Sequence, residues 1–158
     1  MRYVSRLLSL LLALGFSLAA IAQEITRPRI DFVYFGASDC PYCRAWEAHD
    51  LPKLKASPAF RQARFTHVVK VIHSPVPSSF WFPAEIKHLR EPIAEKLKGA
   101  GSPMFAILAN GKVVAAWKGR RKSPEEILQI IEEQQRLLAP ATTPNATVER
   151  DASTRPSP

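Results

Sequence analysis

The chain contains two cysteines, and both fall in one tetrapeptide, Cys40-Pro41-Tyr42-Cys43, directly after the hydrophobic run IDFVYFGA. At most one intrachain disulfide can form from them, and it would close a very small ring. A disulfide-stapled fold and a four-thiolate zinc site are therefore both excluded for this chain alone, and the fold must be held by an apolar core. With 46% hydrophobic residues in 158, that core is within reach and a mainly disordered chain is not expected; 14 prolines indicate that part of the length is not packed.

The pattern behind and beyond the cysteines alternates in type. Ile30 to Gly36, rich in aromatic and β-branched residues, predicts a central strand buried on both faces. A helix follows through RAWEAHDLPKLKAS, with Ser38 or Asp39 as its cap, Pro41 in its first turn and Pro52 kinking or dividing it. Phe65 to Ile72 predicts a second strand, and the Pro- and aromatic-rich stretch 73–83 a packed connection in which Phe80-Trp81-Phe82 pack beneath the chain or, alternatively, form a protein-binding ridge. Ala84 to Lys98 predicts a helix with Ile86, Leu89, Ile93, Ala94 and Leu97 facing inward, disturbed locally at Pro92. Residues 103–109 and 112–117 predict a hairpin, because Asn110-Gly111 suits a tight turn needing positive φ. Ser123-Pro124-Glu125-Glu126 has the form of a capping box opening a last helix, with Ile127, Ile130, Ile131, Leu137 and Leu138 on its apolar stripe. The order strand, helix, strand, helix, strand, strand, helix is that of an α/β sandwich around a four-stranded mixed sheet.

The ends read differently. Residues 1–22 combine Arg2 and Arg6, the apolar LLSLLLALGFSLAA and the small residues Ala20 and Ala22, the form of a signal peptide cleaved after export. An N-terminal membrane anchor is the alternative, since so short an apolar run is marginal for spanning about 30 Å. Residues 23–28 form a lead-in, 29–138 the folded domain and 139–158 a disordered tail, in which the glycosylation triplet at Asn145 is as readily a chance match. The formal net charge is +8, but no recognition helix, aromatic-basic alternation or zinc-finger spacing accompanies it, so no nucleic-acid partner is expected.

The cysteines sit where their chemistry is favoured. At the head of a helix, the first cysteine projects toward unpaired backbone N–H groups and the positive end of the helix dipole, which stabilise a thiolate and lower its pKa from about 8.5. Cys40 is the candidate nucleophile, and Cys43, about one turn later and nearer the interior, the resolving thiol. Two plainer readings compete. A zinc site would need two further ligands that His49, His67, His73 and His88 do not supply by spacing, and a purely structural disulfide in so small a ring gains little chain entropy. No metal, cofactor or nucleotide motif is present.

With the element order, Cys40-Pro41-Tyr42-Cys43 and Gly101-Ser102-Pro103 taken together, the chain resembles the thioredoxin-fold family over roughly residues 30 to 137. The resemblance implies a thioredoxin-like three-layer sandwich, a catalytic pair Cys40 and Cys43 supported by Pro41 and Tyr42, and a cis-proline loop at Ser102-Pro103 that turns the chain and pairs with an extended substrate. The departures are specific. The family's cytoplasmic reductants usually carry Trp before the first cysteine and Gly-Pro between the pair, whereas this chain has Asp39 and Pro41-Tyr42. The buried acid that relays protons in thioredoxins falls at Tyr34, and Asp31 is on the wrong part of the strand to replace it. Glu47, one turn past Cys43, is the candidate for proton transfer, against the plainer reading of an exposed helix glutamate. Tyr42 is expected to shape access and Trp46 to be core.

The expected function is a monomeric, exported thiol-disulfide oxidoreductase in a bacterial periplasm, exchanging disulfides with protein substrates and served by a membrane redox partner. Reductant is favoured over oxidant, because a thioredoxin-like size leaves no room for a large helical insertion. The alternative is a non-enzymatic binding module of the cell envelope using the same fold for a protein or a metal.

Overall fold

A computed structural model describes residues 29–139. The leader, lead-in and tail, apart from Ala139, lie outside the described residues. Strand β1, Ile30–Gly36, is buried along its whole length. Three short helices follow: α1, Pro41–His49; α2, Leu51–Ala56; and α3, Pro58–Gln62. The division expected near Pro52 falls at Asp50, which leaves Pro52 in the first turn of α2, where a missing N–H costs no hydrogen bond. A second break, at Ser57-Pro58, repeats the device: the Ser57 side chain caps α3 by accepting from the Ala59 N–H at 3.2 Å.

Strand β2, Arg64–Val69, stops short of the predicted Ile72. Its partner β1 ends at Gly36, paired with Val69, so there is no further ladder to join. The Lys70 side chain then turns the chain by donating to the carbonyls of Val71, Ile72 and Ser74 at 3.1, 3.4 and 2.7 Å. The helix expected over 84–98 is a 3-10 helix at Ala84–Leu89 followed by α4, Arg90–Lys96. Pro92 cannot donate to residue 88, so regular α-helix begins only where the proline occupies the first turn.

Strands β3, Met104–Ala109, and β4, Lys112–Lys118, form the expected hairpin, with Asn110 and Gly111 at φ 49° and 80°. One residue of β4, Val114, is skipped between the pairs Ile107–Ala115 and Leu108–Val113, a bulge that the regular sequence pattern does not announce. Helix α5, Pro124–Leu138, opens with the reciprocal Ser123–Glu126 capping box.

The sheet order is β2-β1-β3-β4, with β1 and β2 parallel and the other pairs antiparallel. Side chains of β1 alternate between two cores. Ile30, Phe32 and Tyr34 pack with Trp46, Leu54, Phe60, Ile127 and Ile131, on the face covered by α1–α3 and α5. Val33 and Phe35 pack with Phe82, Ile86, Leu89 and Ile93, on the face covered by the 3-10 segment and α4. This is a three-layer α/β sandwich, as expected, and β1 is its central buried strand. Leu137 departs from the expected stripe of α5: it is exposed, turned off the face on which Leu138, one residue on, still packs against the core. Among the described residues no helix is long and apolar enough to cross a membrane.

Candidate active site

The antiparallel register places Phe35 opposite Met104, so the end of β1 that leads to Cys40 and the start of β3 that follows Pro103 share one end of the sheet. The end of β2 joins them, since the Lys70 N–H donates to the Gly36 carbonyl at 2.9 Å. Topology thus gathers the loop 37–40, the Lys70 turn and the Ser102-Pro103 loop, which the sequence separates by some thirty residues each.

Cys40 is itself the N-cap of α1. Its backbone is extended, at φ −94° and ψ 110°, and its Sγ accepts the Cys43 N–H at 3.1 Å. The cap expected of Ser38 or Asp39 therefore falls to the cysteine, because Pro41 at the first helical position starts the helix one residue later. A sulfur that accepts an N–H at a helix head is held where negative charge on it is favoured. Asp39 does not share in the capping, which leaves its carboxylate as a like charge beside Cys40. Cys40 and Cys43 are joined in a disulfide, their Cα atoms 5.2 Å apart. Both are fully buried in this oxidised state. Tyr42, between them, is 68% exposed, as befits a residue at the mouth of the site.

The Ser102–Pro103 peptide bond is cis. Ser102 Oγ lies 2.9 Å from the Ile72 carbonyl and 2.8 Å from that of Gly101, and the Pro103 carbonyl accepts from Gly119 N–H at 2.8 Å. The Lys118 ammonium donates to the carbonyls of Lys98 and Ala100, bracing the approach to the loop. Burial, and then the charge of Lys118, push the Lys70 ammonium down to about 8, against the opposing pull of Asp39.

On the α1 face, Tyr34 projects from β1 and donates its hydroxyl to Glu47 Oε1 at 2.8 Å. Glu47 is therefore engaged with the core; it is not a purely solvated helix glutamate. His67, the register partner of Tyr34 on β2, stacks on the tyrosine ring at 4.6 Å between centroids and brings Nε2 to 3.9 Å from Glu47 Oε1. Trp46, fully packed as expected, lies 4.5 Å from the Tyr34 ring. Burial, then the hydrogen bond to Glu47 and its charge, push the Tyr34 hydroxyl far up, so it remains a donor throughout the range of the chemistry. Burial lowers the His67 pKa, against the attraction of Glu47. Neither Tyr34 nor His67 could be assigned to the site from sequence, since the contact depends on strand register; the one legible signal was that Tyr34 stands where a buried acid is expected.

The aromatic connection divides. Phe82 packs in the core, stacking obliquely on Phe35 at 5.6 Å, whereas Phe80 and Trp81 are 80% and 63% exposed. The expectation of a fully packed connection holds for Phe82 alone, because the 3-10 turn Ser79–Trp81 lifts its two neighbours off the sheet. Among the described residues no group of three or more His, Cys, Asp or Glu side chains is placed to hold a metal ion.

Solved structures similar to the chain include the periplasmic thioredoxin SoxS of Paracoccus pantotrophus, with 15% identity, 67% of this chain and 98% of that chain covered, and a TM-score of 0.42. Trxlp of Edwardsiella tarda gives 23% identity, 72% and 91% coverage and a TM-score of 0.43. Thioredoxin f2 of Chlamydomonas reinhardtii gives 20% identity, 69% and 82% coverage and a TM-score of 0.42. No curated protein matches the chain. The sequence model of a thioredoxin-like domain, however, matches residues 19–135, most of the chain and the whole sheet, and with it the protein belongs to the thioredoxin-like domain family.

Proposed function

We propose that the protein is an exported thiol-disulfide oxidoreductase that exchanges disulfides with protein substrates through Cys40 and Cys43. The observation that carries this reading is Cys40 as the N-cap of α1, its sulfur accepting the Cys43 N–H at 3.1 Å within a formed disulfide. In the reduced protein the Cys40 thiolate attacks a substrate disulfide, expelling one substrate thiolate and forming a mixed disulfide. Cys43 then loses its proton and attacks the Cys40 sulfur. The Cys40–Cys43 bond forms, the bond to substrate breaks, and the departing sulfur takes a proton. The substrate is reduced by two electrons and the dithiol is oxidised. Pro41 and Tyr42 shape the loop, Ser102-Pro103 holds an extended substrate segment by its backbone, and Glu47 transfers the proton. The exposed Phe80 and Trp81 support a protein substrate over a small thiol.

Export to the periplasm rests on the form of residues 1–22. The favoured direction is reduction, which requires a membrane dithiol partner to restore the pair, since the periplasm is kept oxidising. Neither a cofactor nor an oligomer is required for the exchange.

Turnover of a protein disulfide with dithiothreitol as reductant tests the reading. Cys40→Ser is expected to fall to the uncatalysed rate, and a variant as fast as the parent overturns the enzymatic reading in favour of a binding module. The equilibrium potential of the pair against glutathione sets the direction: a value below about −230 mV supports reduction, and one near about −120 mV supports oxidation.

A further inference from the structure

We propose that Tyr34 and His67 are positioning residues for Glu47, the three forming a relay that receives the Cys43 proton and returns it to the departing substrate sulfur. The inference rests on the exchange reaction proposed above and adds groups that its minimal form does not need.

Three observations carry it. Cys43 and Glu47 stand four residues apart on α1, so their Cβ atoms lie about 6 Å from each other on one helix face. From positions so spaced a thiol and a carboxylate can be bridged by one water, the reach that proton transfer needs. Next, Glu47 Oε1 is tied down by the Tyr34 hydroxyl at 2.8 Å, and the tyrosine ring is itself fixed between Trp46 and His67, with centroids at 4.5 and 4.6 Å. A carboxylate on a half-exposed helix side chain is thereby given a defined place, with Oε2 left for the proton. Last, a Cβ added to Gly36 would lie 2.6 Å from both His67 Nε2 and the Tyr34 hydroxyl. The two polar tips converge over the one residue of β1 that has no side chain, at the end of the strand leading into the Cys40 loop.

Charge supports the arrangement. Glu47, from α1, is the charged group that acts on Tyr34 from β1 and on His67 from β2. Tyr34 cannot become an anion beside it and serves only as donor. His67, kept neutral by burial at pH 7, leaves the carboxylate free to take a proton. In the resolving step the Cys43 proton passes to Glu47, the Cys43–Cys40 bond forms as the Cys40–substrate bond breaks, and the proton goes to the expelled thiolate, so Glu47 ends as it began.

Single-turnover kinetics with a fluorescent peptide disulfide test this, read as two steps: attack by Cys40, measured in a Cys43→Ser background, and release of the second peptide thiol by Cys43. Glu47→Gln is expected to slow release about 100-fold at pH 7, and Tyr34→Phe about 10-fold, each leaving attack within twofold. The Glu47→Gln deficit should shrink as pH rises, because at higher pH the thiol ionises without help from the carboxylate. His67→Gln should move the acid limb of the release profile. Unchanged release in Glu47→Gln and Tyr34→Phe overturns the relay, as does a deficit independent of pH. If the parent shows no attack step, it is the exchange reading that fails. Intact attack in each variant also shows that it has folded.

Discussion

β1 buries a polar side chain near each end, on opposite faces of the sheet, and the two are satisfied in opposite ways. Asp31, fully buried on the α4 side, accepts from Arg64 Nε at 2.5 Å and Arg29 Nε at 3.3 Å, so a full negative charge is met by two full positive ones. Tyr34, fully buried on the α1 side, is neutral and hands its single hydrogen to Glu47, whose side chain is 38% exposed. The first arrangement closes on itself and lies at the end of β1 away from Cys40. The second leaves a carboxylate fixed in place yet open to proton exchange, one turn from Cys43. One strand thus carries a device for holding the sheet and, three residues on, a device suited to chemistry.

The sharpest break in that comparison is Asp31→Ala. Two guanidinium groups lose their anion, and Arg64, only 29% exposed, cannot escape fully to water. Because both arginines keep some solvent access, the cost is expected at about 2–3 kcal/mol, below the full penalty for stranding a buried charge. Urea unfolding measures it, and the dithiol potential should stay where it is. A shift in potential would mean that the two ends of β1 are coupled and the contrast is mistaken.

Gly36→Ala probes the other end. The new methyl would meet His67 Nε2 and the Tyr34 hydroxyl at 2.6 Å, and the Tyr34 ring is packed between His67 and the fully buried Trp46. Overpacking of this kind costs about 1–3 kcal/mol. Combined with Tyr34→Phe, which removes one of the clashing atoms, the loss in unfolding free energy should be smaller than the sum of the two single losses. Strict additivity would show that the tips do not converge there.

How far the sequence reveals this contrast depends on range. The dithiol at a helix head, the Asn110-Gly111 turn and the Ser123–Glu126 box are local patterns in which neighbouring residues satisfy one another, and each is legible from a few letters. The four-stranded mixed sheet follows from the succession of element types, whereas its strand order, β2-β1-β3-β4, does not. What escaped was set by register and by prolines. Tyr34 and His67 meet because Gly36 pairs with Val69 and the ladder runs back in parallel from there. A one-residue slip would turn His67 to the other face. The 3-10 segment before Pro92 and the exposed Phe80 and Trp81 depend on how a proline-rich connection folds over a sheet, which no periodicity encodes. Cys40 as its own helix cap was missed for a simpler reason: Ser38 and Asp39 are better caps by residue type, and the position of Pro41 decides against both.

The smallest effect is the most specific to the α1 side. Burial lowers the pKa of His67 below its ordinary 6.5, so on folding the ring prefers to be neutral. Between that lowered value and 6.5 the unfolded chain binds more protons than the folded one, and stability must therefore rise with pH across the window and fall as the solution is acidified through it. With the ring 38% exposed, the slope is shallow. Lys70 obeys the same rule in another window: its ammonium, pushed down to about 8 from 10.5, makes stability rise with pH between those values. Urea midpoints in an acid series from about pH 7.5 to 5.5 and an alkaline one from about pH 8 to 10 separate the two, since only the acid slope should flatten in His67→Gln and only the alkaline one in Lys70→Met. The sign carries the information. Were stability to increase on acidification in the parent but not in His67→Gln, the attraction of Glu47 would outweigh burial, and His67 would act as the cationic partner of the carboxylate, making the α1 side resemble the Asp31 end instead of contrasting with it.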